Sequence, residues 1–422
     1  MKKIKVFCLA DSPLAPSGVG TQTRYMIEGL LKTGRFKFVC FGGAIRHPDY
    51  KPIQTEEYGE DWVIYPVDGY GNPEQVRALL KAQKPDIVWI MTDPRFWSWL
   101  WEIDNEIRSV CPLVYYHVWD NYPYPTFNRK WYLSNDAIAS ISKVTNSIVK
   151  NVAPEVELHH VPHAVNDTVF SKIENTDLVK QFKKENSIGV DSKGNKRFVF
   201  FWNNRNARRK QSGSLMFWYN DFLDKVGRDK ATLIMHTEPK DPNGQDLVAI
   251  KERLNLDDDQ FKISSSKLTI QQLSLLYNSV DCTVNISDAE GFGLATLESL
   301  ATETPIIVNM TGGLQEQVTD GTDWFGIGIE PCSKALIGSQ EVPWIYEDRI
   351  SKDDFVDAMV KMYEMPKEER LEMGRKGRRH VLTNYSMDNY INTWDKVLTD
   401  INSKHGSWED REVKLWSLSK IS

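Results

Sequence analysis

A chain of 422 residues, 41% apolar and 26% charged, is long enough for two or three domains that each bury a core, and its composition is that of an ordinary globular protein. No stretch approaches the roughly 18 consecutive apolar residues of a membrane span, so no span is expected. A formal net charge of −6 speaks against extensive contact with nucleic-acid phosphates or anionic lipid, while leaving room for a local basic groove.

The N-terminus pairs three lysines with an apolar run that Asp11 cuts short, which suits a first strand over 4–10 better than a signal peptide. A helix is expected over 21–31, with Tyr25, Ile27, Leu30 and Leu31 near helical spacing. A strand over 37–41, a helix over 74–81 and a buried strand over 86–91 follow, then strands over 113–118 and 137–140. Residues 171–196 are rich in Lys, Asn, Glu, Ser and Gly, and a domain boundary is placed there. The alternation then restarts, with strands over 197–202, 232–236, 261–263, 282–286 and 305–309. Helices are expected over 271–278, 294–301, 353–363, 367–384 and 387–401. Strand–helix alternation of this kind argues for mainly parallel sheets covered on both faces. The expected architecture is α/β: two doubly wound domains in series with a cleft between them, ligands lying at the carboxyl ends of strands. The domains are read as 1–180, completed by a C-terminal segment 387–422, and 181–386. The tail after Lys404, with Trp408 and Trp416, is expected to pack on the first domain.

The cysteines Cys8, Cys40, Cys111, Cys282 and Cys332 are scattered, odd in number and form no CxxC pair. Neither a disulfide framework nor a zinc site is indicated, and a reducing, cytoplasmic setting fits.

Four loops carry the candidate chemistry. Asp11 to Thr21, with Gly18, Val19 and Gly20, follows the first strand and opens the first helix. Its glycines let backbone approach a ligand, and the helix N-terminus offers N–H groups to a phosphate. It lacks GxGxxG, so it is no dinucleotide fingerprint, and alone it reads equally as a plain strand–helix turn. Trp202-Asn-Asn-Arg205-Asn-Ala-Arg208-Arg209-Lys210 follows the first strand of the second half. Arg and Lys beyond a strand end suit a diphosphate, although a solvated basic loop is the plainer alternative. In Ser287-Asp-Ala-Glu290-Gly291-Phe292-Gly293-Leu294-Ala-Thr-Leu-Glu298, two carboxylates flank a glycine-rich turn into a helix. The N–H groups near Phe292, Gly293 and Leu294 can hold an anion, and the carboxylates can accept from hydroxyls on two parts of one ligand. Thr311-Gly312-Gly313 enters a further helix. His117 and His163 sit just past strands, where a His either positions a substrate hydroxyl or is satisfied structurally.

Together these motifs resemble retaining glycosyltransferase family 4 of the GT-B fold, in order through most of the chain. Ser17–Thr21 resembles its glycine loop, and Ala139-Ser-Ile-Ser-Lys143 a family strand. Val161-Pro-His-Ala-Val-Asn-Asp-Thr-Val-Phe170 resembles its interdomain segment. Arg205 and Lys210 match its basic pair, Glu290 and Glu298 its E-x7-E element, and Asp281 and Pro305 stand at family positions. Departures are Ala164 for the usual Gly, Asn166 for Asp, and the extra Arg208 and Arg209. The wording of the basic loop resembles some phage- or virus-encoded members, which would place the protein in a host cytoplasm.

The resemblance implies transfer of a sugar from a nucleotide-diphosphate sugar to an acceptor hydroxyl compound. No metal and no cofactor beyond the donor is implied, and no protein nucleophile. Arg205 and Lys210 would hold the diphosphate and stabilise the leaving group. The Gly18–Gly20 loop would close over the phosphates. His117 and Glu290 would face the transferred sugar, with the amides of Phe292, Gly293 and Leu294 helping, and Glu298 would bind the ribose. The final helix of such enzymes returns to the first domain. The acceptor is expected on the first domain, where Trp97, Trp99, Trp101, Trp119, Tyr122, Tyr124 and Trp131 cluster in sequence. Trp119, Asp120 and Tyr122 are acceptor candidates there, and Arg208 and Arg209 in the second half. The acceptor is either a saccharide or glycoside, or a hydroxymethylated pyrimidine of viral DNA, which keeps nucleic acid as a candidate partner. Competing readings are another GT-B enzyme, a sugar-nucleotide epimerase or a phosphorylase, and a nucleotide-sugar-binding module that has lost catalysis.

Overall fold

The computed structural model describes residues 2–411, so the expected packing of Trp416 falls outside them. The chain divides into two compact units. The first comprises residues up to Ala164, Ser339–Pro343 and the segment from Met387. The second comprises Val165–Gly338 and Trp344–Ser386. The division therefore falls earlier than the boundary read from composition at 180.

The first unit holds eight strands: β1 (Ile4–Leu9), β2 (Phe36–Gly42), β3 (Ile53–Gln54), β4 (Trp62–Pro66), β5 (Ile87–Met91), β6 (Leu113–His117), β7 (Ala137–Ser140) and β8 (Glu157–His160). They form one sheet in the order β3-β4-β2-β1-β5-β6-β7-β8, parallel except where β3 pairs antiparallel with β4. β5 and β6 are buried along their whole length, as expected of strands covered on both faces. The helix Gly18–Lys32 is capped by Ser17, whose hydroxyl accepts from the Gly20 amide at 3.0 Å.

The last long helix, Met387–His405, packs within this first unit. Tyr390, Trp394, Val397, Leu398 and Ile401 are buried. The ring of Trp394 lies 5.8 Å from that of Trp89 and 4.9 Å from that of Tyr116. A Cβ on Gly29 would run into Ile391, so the absence of a side chain there lets the two helices close. Trp408 Nε1 donates to the Pro85 carbonyl at 2.9 Å.

The second unit holds β9 (Phe198–Asn203), β10 (Ala231–His236), β11 (Phe261–Ser264), β12 (Cys282–Asn285), β13 (Ile306–Asn309) and β14 (Gly326–Ile329). These form an all-parallel sheet in the order β11-β10-β9-β12-β13-β14. Its core joins Phe200, Trp202, Tyr219, Phe222, Leu233, Met235 and Val284 with Phe355 and Met359 of the helix Lys352–Glu364. A separate antiparallel hairpin, β15 (Ser333–Ile337) with β16 (Ile345–Arg349), follows β14. The sequence pattern missed β4, β8, β14 and this hairpin. β14 reads Gly-Ile-Gly-Ile, and glycines mask the signature of a strand. β8 reads Glu-Leu-His-His, with none of its residues fully buried.

Candidate active site

In the second unit the strand order reverses between β9 and β12, which is where ligands settle in an open parallel sheet. The loops leaving those two strands carry Arg205 to Lys210 and Glu290 to Leu294. After β9 the chain turns back through side-chain bonds. Asn206 Oδ1 accepts from Ser212 Oγ at 2.7 Å, and Gln245 Oε1 accepts from the Gly213 amide at 2.7 Å. A 3₁₀ turn, Arg208–Lys210, then leads through Gln211 at φ 56° into the helix Ser212–Val226.

Lys210 is 7% exposed and forms an ion pair with Glu290. Asn285, the last residue of β12, donates to the same Glu290 oxygen at 3.3 Å. The loops also meet through backbone, the Asp288 amide donating to the Arg209 carbonyl at 2.8 Å, and Arg209 Nη1 reaches the Ala289 carbonyl at 2.5 Å. Burial opposes the charge on Glu290, but Lys210 and Arg209 outweigh it and hold its pKa below the usual carboxylate value. The result is a buried, ionised carboxylate with a cation fixed beside it.

Glu298 lies on the helix Leu294–Ala301. Burial pushes its pKa up to about 7, against the pull of the Tyr277 hydroxyl. Tyr277 in turn accepts from Asn203 Nδ2 at 3.0 Å, so Glu298 is tied to the end of β9. The turn into this helix depends on two glycines. Gly293 has φ 95°, a conformation costly for other residues. A Cβ on Gly313 would lie 2.6 Å from Phe292 Cα. The Gly313 amide donates to the Glu290 carbonyl at 3.0 Å, and Gln317 Nε2 to the Phe292 carbonyl at 2.7 Å. The loops after β12 and β13 thus lock together and aim the first-turn amides of the helix along one direction.

Arg205 shares the loop but not the cluster. Its side chain is 64% exposed and forked onto Asp241 at 2.6 and 3.1 Å. Arg208, an acceptor candidate by sequence, is 61% exposed at its side chain. Its guanidinium is taken by Glu347, with Nη1 to Oε2 at 2.9 Å.

In the first unit the order reverses between β1 and β5, and Gly18, Val19 and Gly20 open the helix after β1. A Cβ on Gly20 would lie 2.7 Å from the carbonyl oxygens of Ser12 and Ala15. Asp11 accepts from Ser17 Oγ at 2.5 Å and from the Tyr70 hydroxyl at 2.8 Å. His117, expected to face a sugar, is wholly buried at the end of β6. Its Nε2 lies 2.7 Å from the Tyr132 hydroxyl, while Nδ1 has no partner. Burial lowers its pKa to about 3, so the ring is neutral. His163 Nδ1 lies 2.7 Å from the Tyr116 hydroxyl.

Most of the tryptophans between Trp89 and Trp131 are core, and a few of the aromatic residues there keep exposure. Trp97 is fully buried, and Trp101 is 5% exposed and stacked on Trp131. Trp119 is buried with Nε1 on the Asn121 carbonyl at 3.0 Å. Tyr122 is half-buried beside exposed Tyr124.

The sequence reading missed Asn285, Tyr277, Asp241 and Glu347. Asn203 stood within the quoted basic motif, and its place at a strand end was the available signal. Asn285 lies five residues before Glu290, at the end of its strand, while Tyr277, Asp241 and Glu347 lie 21, 36 and 139 residues from Glu298, Arg205 and Arg208 and carry no local pattern.

Residues 245–380 match the family model described as glycosyl transferases group 1. No curated protein sequence matches the chain. Among solved structures, a sucrose-phosphate synthase from Thermosynechococcus elongatus is similar at 14% identity and TM-score 0.73, over 96% of this chain and 100% of that one. A glycosyltransferase from Rickettsia africae ESF-5 is similar at 15% identity and TM-score 0.69, over 96% and 99%. A structure described as trehalose-6-phosphate from E. coli bound with UDP-2-fluoro glucose is similar at 11% identity and TM-score 0.68, over 94% and 98%. At these identities the neighbours establish the fold, which is GT-B, and the matched segment makes the chain a glycosyltransferase.

Proposed function

We propose that this glycosyltransferase is a retaining, metal-independent enzyme of family 4 that takes a sugar from a nucleotide-diphosphate donor. The observation that carries the reading is Lys210, buried and ion-paired to Glu290 at the strand-order reversal of the second unit. A fixed cation beside helix-end amides suits a diphosphate leaving group, because its charge grows as the glycosidic bond breaks. Lys210 and Arg205 hold the diphosphate. Arg205 is already forked and solvent-facing, and it exchanges Asp241 for phosphate oxygens. Glu290, ionised, accepts from hydroxyls of the transferred sugar, and Glu298 accepts from the ribose. The amides of Phe292, Gly293 and Leu294 add partial positive charge. The leaving phosphate takes the acceptor proton, so no side-chain nucleophile is needed. The similar E. coli structure, described as bound with UDP-2-fluoro glucose, makes uridine donors the first to try.

For the acceptor we propose a saccharide or glycoside meeting Asp120 and Tyr122, which keep partial exposure beside buried Trp119. Arg208 and Arg209, the residues behind a DNA acceptor, are engaged by Glu347 and the Ala289 carbonyl, so nothing in their placement favours nucleic acid. Among the described residues no helix is long and apolar enough to cross a membrane. The five free cysteines support a cytoplasmic setting, and the phage-like wording of the basic loop supports a host cytoplasm.

A thermal-shift screen of nucleoside diphosphates and their sugars tests the donor, since a ligand bound only to the folded state raises Tm. A diphosphate should shift wild type and not Lys210→Ala. Equal shifts in both would remove the site. Hydrolysis of the bound donor then separates an enzyme from a binding module, and turnover unchanged by EDTA supports metal independence.

A further inference from the structure

The hairpin strand β16 ends against all three loops that leave β9, β12 and β13. Glu347, with its side chain 2% exposed, accepts both guanidinium arms of Arg208 and also Arg349 Nη2 at 2.7 Å. The Asp348 amide donates to the Asp288 carbonyl at 2.9 Å, and Thr311 Oγ1 donates to Asp348 Oδ2 at 2.7 Å. Asn309 Nδ2 donates to the Asp348 carbonyl at 2.9 Å. Two consecutive residues, Glu347 and Asp348, therefore stitch the basic loop, the glutamate loop and the glycine loop to one strand.

We propose that Glu347 is a positioning residue for Lys210, acting through Arg208 as a latch on the 3₁₀ turn Arg208–Lys210. This rests on the donor-site reading for what Lys210 does, and on geometry alone for how it is held. The turn is short and self-bonded. The Lys210 amide donates to the Ala207 carbonyl at 2.8 Å, and the Gln211 amide to the Arg208 carbonyl at 3.2 Å. Fixing the Arg208 side chain therefore fixes the backbone that aims Lys210 at Glu290. A carboxylate as buried as Glu347 is costly without its cations, so it holds Arg208 rather than releasing it to solvent. The same burial acts on neighbouring Asp288, whose pKa is pushed up to about 6 against the pull of Gln211 and Arg349. Asp288 Oδ2 accepts from Gln211 Nε2 at 2.6 Å, a second tie on the residue after the turn. The two extra arginines of the basic loop thus act on the protein rather than on a ligand.

The test reads the position of Lys210 directly. The full-length protein is pulsed with formaldehyde and cyanoborohydride, and methylation of each lysine is followed by peptide mass spectrometry. Lys180 and Lys225, 74% and 52% exposed, serve as internal references. Arg208→Gln changes a largely exposed side chain and should fold. Losing a charged hydrogen-bonded anchor should raise the Lys210 rate about tenfold while the reference rates stay put. Arg208→Lys, which keeps the charge, should restore most of the protection, and Glu347→Gln should repeat the effect from the buried side. With UDP-glucose as donor probe, Arg208→Gln should lower kcat for hydrolysis more than it raises KM. Lys210 labelling in Arg208→Gln equal to wild type overturns the proposal, as does an equal rise at Lys180 and Lys225. If wild type ignores UDP-glucose yet the labelling pattern holds, the choice of donor fails and the latch stands.

Discussion

The hydroxyl of Tyr277 donates to Glu298 Oε2 at 2.9 Å and favours the charged form of a carboxylate whose pKa burial has pushed up to about 7. A carboxylic acid with a folded pKa above its unfolded value binds its proton more tightly in the native state. Its stabilisation is complete below the unfolded pKa, about 4.3, and is lost as pH rises to about 7. Glu298→Gln should therefore raise the Tm of the unliganded protein at pH 8 by more than at pH 5. Thermal unfolding at the two pH values checks this, and an equal difference at both would mean that Glu298 is not the titrating group.

Lys210 and Arg205 should separate in stability while agreeing in activity. Removal of either cation should cost about 100- to 1000-fold in turnover. Lys210→Ala also leaves Glu290 buried without its cation, a loss on the order of 3–5 kcal/mol, whereas Arg205 is 64% exposed where it meets Asp241 and Arg205→Ala should lower Tm far less. Urea denaturation measures the contrast. The double variant Lys210→Ala/Glu290→Gln should regain most of the stability and none of the turnover.

The glycine turn should tolerate no side chain. At Gly293 the backbone has φ 95°, and a Cβ would lie 2.5 Å from Leu314 Cδ2. Gly293→Ala should destabilise by roughly 1–3 kcal/mol from backbone conformation alone, and it should weaken nucleotide binding because the first-turn amides shift. Calorimetric titration with the diphosphate found in the screen gives the second number.

The C-terminal helix should be indispensable to the first unit. Trp394 is fully buried against Trp89 and Tyr116, and Trp394→Ala should cost about 3–5 kcal/mol. A chain ending at Ser386 loses the whole apolar face from Tyr390 to Ile401 and should fail to give cooperative unfolding of that unit. Native-like melting of the truncated chain would contradict the packing.

Much of this was readable in the linear pattern because it is local. The helix Leu294–Ala301 and the strand Ala137–Ser140 fall on the residues their periodicity marked. The final helix reads from Tyr390, Trp394, Val397 and Leu398 at helical spacing. Glu290 and Glu298 stood out because carboxylates flanking a glycine turn are chemically conspicuous in the sequence. What was not readable is pairing. His117 could be read either as a ligand contact or as structurally satisfied, and its partner Tyr132 was not visible, because which side of a strand end opens to solvent depends on the neighbouring elements. Which tryptophans of the first unit are core, Trp97 and Trp101 among them, was likewise unreadable from their spacing.

The amino-acid order alone determined the alternation of elements, the two-unit α/β class and the loops where chemistry concentrates, since periodicity, capping and glycine act over a few residues. Only the tertiary structure decided which charge answers which: Lys210 with Glu290, Arg205 with Asp241, and Arg208 with Glu347 across 139 residues of chain. The physical reason is that ion pairs are selected by burial and by the meeting of distant loops, and neither is written in the spacing of nearby side chains.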